Sequence, residues 1–178
     1  NGMSYHARSG SNANSALLVG INPSDFADNN PLAGLELQQR IERTAFALGG
    51  SGYQAPCQLV GDFLAECPST CFGKVWPTYK PKVKLGAISS CLPDFVCESM
   101  RLALPLLDQK LAGFAAPDAL LTAPETRSSA PLRILRDQNY QSITGLFPCG
   151  EGAGYAGGII SAAVDGIRAA EAVLARQG

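Results

Sequence analysis

Gly145–Gly178 reads GLFPCGEGAGYAGGIISAAVDGIRAAEAVLARQG, and its three parts set the terms for the rest of the chain. The apolar run from Thr144 to Cys149 is expected to be a strand. A glycine-rich turn carrying one carboxylate, Glu151, follows it. An alanine-rich helix is then expected from about Ala156 to Arg176, with Ile160, Ala163, Ile167, Ala170 and Leu174 as its apolar stripe. The first N–H groups of a helix are unpaired and carry the positive end of its dipole, so they attract anionic or electron-rich groups. Glycines let such a group come close to the backbone. Gly158, Ala162, Gly166 and Ala170 recur every fourth position, a strip of small residues open to another backbone or a flat ligand. Mid-helix Gly166 costs about 1 kcal/mol against alanine, which close approach would offset. Asp165 and Arg168 are expected to pair on the solvent side.

Gly152, Gly154 and Gly157 also match G-x-G-x-x-G. That fingerprint belongs to a βαβ unit, with a second strand and an acidic residue about 20 positions further on. One helix follows the turn here, so the turn is not expected to open a Rossmann unit.

Composition narrows the field. The chain has 178 residues, 46% of them hydrophobic, enough for a real core in one domain or slightly more. Charged residues make up 16%, against roughly 25% in ordinary globular domains, which points to surface meant to be covered. A formal net charge of -1 argues against an electrostatic nucleic-acid binder. No apolar stretch reaches the roughly 20 residues of a membrane helix and no signal peptide is visible, so a cytoplasmic protein is expected. The six cysteines include no C-x-x-C pair, and His6 is the only histidine. No metal site is therefore expected, and the thiols are expected to be free. Cys149 reads as a buried strand-end thiol. The internal Met3 after Asn1-Gly2 reads as a fragment or a processed chain.

Met3–Arg8 and Ala16–Ile21 are expected to be strands, the second buried. Leu35–Leu48 has helical spacing at Leu37, Ile41, Ala45 and Leu48, and Gly49-Gly50 should end it. Ala55–Ala65 opens on proline and is expected to be helical. Cys67–Pro81 should be irregular, with its aromatics Trp76 and Tyr79 folded back on the core or lining a pocket. Ser89–Gly113 reads as a second helical region, with Pro93 in the first turn and Pro105 kinking or splitting it. Ala119–Ala123 and Leu132–Leu135 are expected to be strands, with Arg133 and Arg136 on the surface.

Thr144–Leu174 resembles the C-terminal flavin-binding segment of FAD-dependent oxidoreductases. PCGEGAGYAGGIISAAVDGI, with NGMSYHAR, NANSALLV, QLVGDFL, LPDFV and ETRSS, is similar to a bacterial family of uncharacterised NAD(P)/FAD-dependent dehydrogenases. The resemblance covers essentially the whole chain, and GEGAGYAGG is its most specific part. It implies an α+β fold, a mixed sheet with helices, forming the C-terminal fragment of a longer flavoprotein without its N-terminal Rossmann βαβ unit. On that reading residues 1–118 form a substrate-side middle region, and residues 119–178 supply the strands and helix that complete the FAD-binding domain. The implied activity is flavin-mediated hydride transfer on an unknown small molecule. FAD would be the cofactor of the full-length protein and NAD(P)H a possible electron partner. The fragment alone would be inactive, its partner being the missing FAD-binding part of the same protein.

The same resemblance implies roles for particular residues. A late strand would deliver Glu151 to the ribityl hydroxyls, although a carboxylate there can also simply stabilise the helix start. Gly152, Ala153 and Gly154 would pass the pyrophosphate or ribityl chain closely, and Gly150 is counted with the cofactor-binding residues. Ala156, Gly157 and Gly158 would present N–H groups to the pyrimidine edge of the flavin; the alternative is a tight strand–helix crossing. His6 and Arg8 could face substrate or be structural, and Arg127 could bind an anionic group or form a turn ion pair. No catalytic residue is assigned. The rival is a non-catalytic binding or interaction module built from the same fold, and a weaker one is a thiol redox protein.

Overall fold

The computed structural model describes residues 5–26 and 30–176. These divide into two compact units: the segments up to Ile21 and Arg40–Pro124 in the first, Asn22–Gln39 and the segment from Glu125 in the second. The fold is α+β with a small mixed sheet, and no Rossmann unit is present among the described residues.

In the first unit the sheet has three strands in the order β2–β1–β3, namely β1 (Ala55–Leu59), β2 (Val83–Leu85) and β3 (Leu120–Thr122). β1 runs parallel to β2, with Ala55 opposite Val83, and antiparallel to β3, with Cys57 opposite Thr122. The expectation of a helix over 55–65 is therefore corrected. Its first half is the central strand, and only Val60–Leu64 forms a short helix, α2. Tertiary pairing on both edges overrides local propensity. Pro56, which has no N–H, still accepts the Ala123 N–H at 3.0 Å.

Where β1 passes into α2, a buried polar network fixes the corner. The Gln58 side chain accepts the Ile88 N–H at 2.9 Å and donates to the Cys67 carbonyl at 2.7 Å. Ser69 Oγ accepts the Leu59 N–H at 2.8 Å and donates to Asp62 at 2.5 Å. Gln58 and Ser69 are buried, and every one of these groups finds a partner, as burial requires. Around them lies the apolar core of Val60, Phe63, Ile88, Val96, Met100 and Leu104.

The helix before β1 and the one between β2 and β3 follow their periodicity. α1 (Ala33–Leu48) buries Ile41 and Ala45, and ends where expected. A side chain at Gly49 would meet the Gln54 carbonyl oxygen at 2.0 Å, and Gly50 has φ 85°. α3 (Asp94–Lys110) starts one residue after Pro93, which is its N-cap rather than a first-turn residue. Pro105 does not split it: the helix runs through, with Pro105 exposed.

Several expected strands do not form. Only residues 5–8 of the first are described; they make a turn in which the Arg8 N–H donates to the Tyr5 carbonyl at 2.9 Å. Residues 16–21 are irregular, although half-buried Leu17 and Val19 pack on the core. In the second unit neither 132–135 nor 144–149 is a strand; an isolated bridge joins Ile143 and Leu146. A strand needs a ladder partner for its backbone groups, and none runs beside these segments among the described residues. The second unit is dominated instead by α4 (Ile159–Leu174).

α4 starts later than expected, and its apolar face is not covered. Ile160, Ile167 and Leu174 are 76%, 61% and 67% exposed, and in α4 Ala169 is the buried residue. Apart from its own stretch of helix, no described residue comes within 4 Å of where a Cβ on Gly166 would sit. Among the described residues no neighbour makes the close approach that would offset the cost of that glycine.

Candidate functional site

The glycine-rich turn is a closed backbone loop. The Gly154 N–H donates to the Glu151 carbonyl at 2.9 Å, and the Tyr155 N–H to the Gly150 carbonyl at 3.1 Å. Gly150 and Gly154 have φ of 72° and 82°, the left-handed region in which glycine is favoured. Gly158 is the N-cap of α4. With no side chain of its own to cap the helix, it relies on Ser161, whose Oγ accepts the Gly158 N–H at 3.1 Å and donates to the Gly158 carbonyl at 2.9 Å.

The turn's residues differ in what they leave available. Ala153 is buried. Gly154 is packed against its own chain, since a Cβ there would lie 2.5 Å from the Leu132 carbonyl oxygen. Gly152 and Gly157 are exposed, with no described residue beyond their chain neighbours within 4 Å of where a Cβ would sit, and Ala156 is half-buried. Glu151 is exposed, and its carboxylate has no hydrogen-bond or ion-pair partner among the described residues. Exposed backbone at Gly152 and Gly157 and the free Glu151 carboxylate therefore all fall within the seven residues that lead to Gly158, the N-cap of a 16-residue helix. Those groups suit a ligand that is both anionic and rich in hydroxyls.

Beneath the turn lies an ion pair that the sequence reading placed on the surface. Arg136 Nη2 and Nη1 donate to Asp165 Oδ1 and Oδ2 at 2.6 and 3.0 Å, a two-pronged contact. The side chains are only 10% and 13% exposed. Asp165 Oδ2 also accepts the Gly150 N–H at 2.8 Å, and Arg136 Nη1 also donates to the Pro148 carbonyl at 2.7 Å. The guanidinium lies 3.6 Å from the ring centre of Tyr155 and 4.1 Å from that of Tyr140. Hydrogen bonding to Arg136, and then to the Gly150 N–H, holds the Asp165 carboxyl below the usual carboxylate range; the same bond raises Arg136. Asp165 therefore faces inward to Arg136, not outward to Arg168. The partners are 29 residues apart, so no local spacing rule could have paired them.

Of the other residues singled out from the sequence, Arg127 is an exposed residue of the second unit, while His6 and Arg8 are exposed residues of the first. Cys149 is exposed rather than buried, because the strand that should have enclosed it does not form. All six thiols are free; Cys57, Cys91 and Cys97 are buried, and burial pushes Cys91 up to about 11. Trp76 is exposed and leans on Phe72 at 5.3 Å. Among the described residues no group of His, Cys, Asp and Glu could hold a metal ion, and no helix is long and apolar enough to cross a membrane. A groove of about 420 Å³ in the second unit is lined by Arg136, Asp137, Gln141 and Thr144, among others, and by none of residues 150–158.

Comparison with known proteins places the chain. Residues 1–128 match the family model of the FAD-dependent protein, C-terminal domain-like sequences. The chain belongs to that family. The match ends before the glycine turn, so it does not itself describe residues 150–158. A protein of Clostridium beijerinckii, described only as uncharacterized, is 51% identical over 176 residues, which is 98% of this chain. The chain spans about a third of that relative's length, at 33%.

Proposed function

We propose that the chain is part of a longer FAD-dependent oxidoreductase and that its glycine turn forms one side of the flavin site. The observation that carries this reading is the open turn, with a free Glu151 beside bare backbone at Gly152 and Gly157, in a chain of an FAD-dependent family. Glu151 accepts hydrogen bonds from ribityl hydroxyls. Open backbone at Gly152 would let the ribityl or pyrophosphate portion come close to the turn. The Ala156 and Gly157 amides and the start of α4 would be offered to the pyrimidine edge, where a helix dipole favours negative charge. FAD, when bound, supplies hydride chemistry, with NAD(P)H as a candidate electron partner. This chain orients it and shapes the electrostatics around it. His6, Arg8 and Arg127 are candidates for substrate or cofactor contact.

A second feature bears on the same reading. The exposed apolar face of α4 fits a helix meant to be covered by more of the same polypeptide, namely the nucleotide-binding part that a relative three times as long has room for. That face equally suits a non-catalytic interaction module. The full-length protein separates the two readings. Purified from cells, it should carry flavin absorbance, and Glu151→Gln should weaken FAD binding about tenfold, the scale of one charged hydrogen bond. Unchanged flavin content and affinity in Glu151→Gln would sink the cofactor role of the turn.

A further inference from the structure

We propose that Arg136 and Asp165 are positioning residues that preset the glycine turn for its ligand. This rests on the reading of the turn as a flavin-binding surface. Asp165 projects from α4 and grips both the Arg136 guanidinium and the Gly150 N–H, the first amide of the turn. Arg136 reaches the Pro148 carbonyl on the way into the turn and faces the Tyr155 ring on the way out. One ion pair therefore touches the turn at its entry, at its exit and from the helix that follows. Glu151 is the residue next to the clamped Gly150, and Gly157 lies two residues beyond Tyr155.

The surroundings argue for position over bulk stability. A nearly desolvated ion pair gives little net stability compared with apolar residues of the same volume, whereas it fixes direction and distance at several points. The second unit has few other devices to do so. Its expected strands do not form, and its long helix leaves its apolar face open. Arg133 adds a weaker, exposed support, with Nε donating to the Gly154 carbonyl at 2.9 Å. An Asn at 165 would keep an acceptor for Gly150 but lose the charge. A Lys at 136 would keep the charge but lose the two-pronged geometry.

The test uses the full-length apoprotein with Asp165→Asn, Arg136→Lys and Glu151→Gln. Three quantities are read: FAD affinity by fluorescence titration, the absorbance band shape of the bound flavin, and hydrogen exchange at 150–155 without FAD. Asp165→Asn should weaken FAD about tenfold, as loss of outer-shell partners does at other ligand sites. It should also alter the flavin band shape and speed exchange at 150–155 while α3 stays protected. Arg136→Lys should fall between it and the wild type, and it stands in for Asp165→Asn if that variant does not fold. If Glu151→Gln weakens FAD while Asp165→Asn and Arg136→Lys leave affinity, band shape and exchange unchanged, the positioning role is wrong and the flavin reading stands. If all three variants bind FAD like the wild type, the flavin reading of the turn is itself wrong. Exchange that rises equally across both units would mark the pair as merely structural and overturn the proposal.

Discussion

The two units solve the problem of holding a shape in different ways. The first buries Phe63, Ile88 and Leu104 beneath a three-stranded sheet and locks the β1–α2 corner with Gln58 and Ser69. The second has a long helix with its apolar stripe in solvent, and its glycine turn is tied down by a charged pair and two tyrosine rings. Cores of the first kind resist because every removed methylene leaves a void. Clamps of the second kind resist only while both charges are present. On the flavin reading proposed above, the contrast would be a division of labour in which one unit supplies rigidity and the other offers backbone to the ligand.

That contrast can be broken at three points. The largest effect is expected in the first core: Phe63→Ala should cost about 4 kcal/mol by creating a cavity, read from urea denaturation. A loss near zero would mean that the sheet, not the core, holds this unit. Acid should act on the second unit selectively. Asp165 has its carboxyl lowered in the folded state, so its contribution is present above the ordinary carboxylate value and is lost as the pH falls through the depressed one. Protection of the Gly150 amide, corrected for its intrinsic exchange rate, should therefore fall below the usual carboxylate range before that of α3 does, and the Asp165→Asn chain should lack the transition. The smallest effect is expected on the open stripe. Ile167→Glu should shift this chain's stability by less than about 0.5 kcal/mol, as surface changes do. A clear drop in the thermal midpoint would show that the stripe is buried after all.

What the sequence made legible follows the same line. α1, α3 and the body of α4 could be read from apolar residues at helical spacing, and Gly49-Gly50 marked the end of α1. β1 could not, because APCQL gains its strand geometry from partners about 28 and 65 residues away, at Val83 and Thr122. The periodic stripe of α4 was visible, but periodicity tells which residues share a face and not whether anything covers it. Glu151 and the open glycines stood out by type. The pair beneath them did not, since Arg136 and Asp165 meet across 29 residues and each looks like an ordinary surface charge in its own segment.

The glycines carry a consequence for tolerated variation. Gly49 and Gly154 lack a side chain because backbone oxygens fill the place where one would sit, at 2.0 and 2.5 Å. Gly152 and Gly157 face open space. Scored for folding alone, a library of substitutions would reject changes at the first two and accept alanine at the second two. If the proposed flavin site holds, the same library scored for cofactor retention in the full-length protein would reject all four, and the difference between the two screens would trace the outline of the ligand onto the chain.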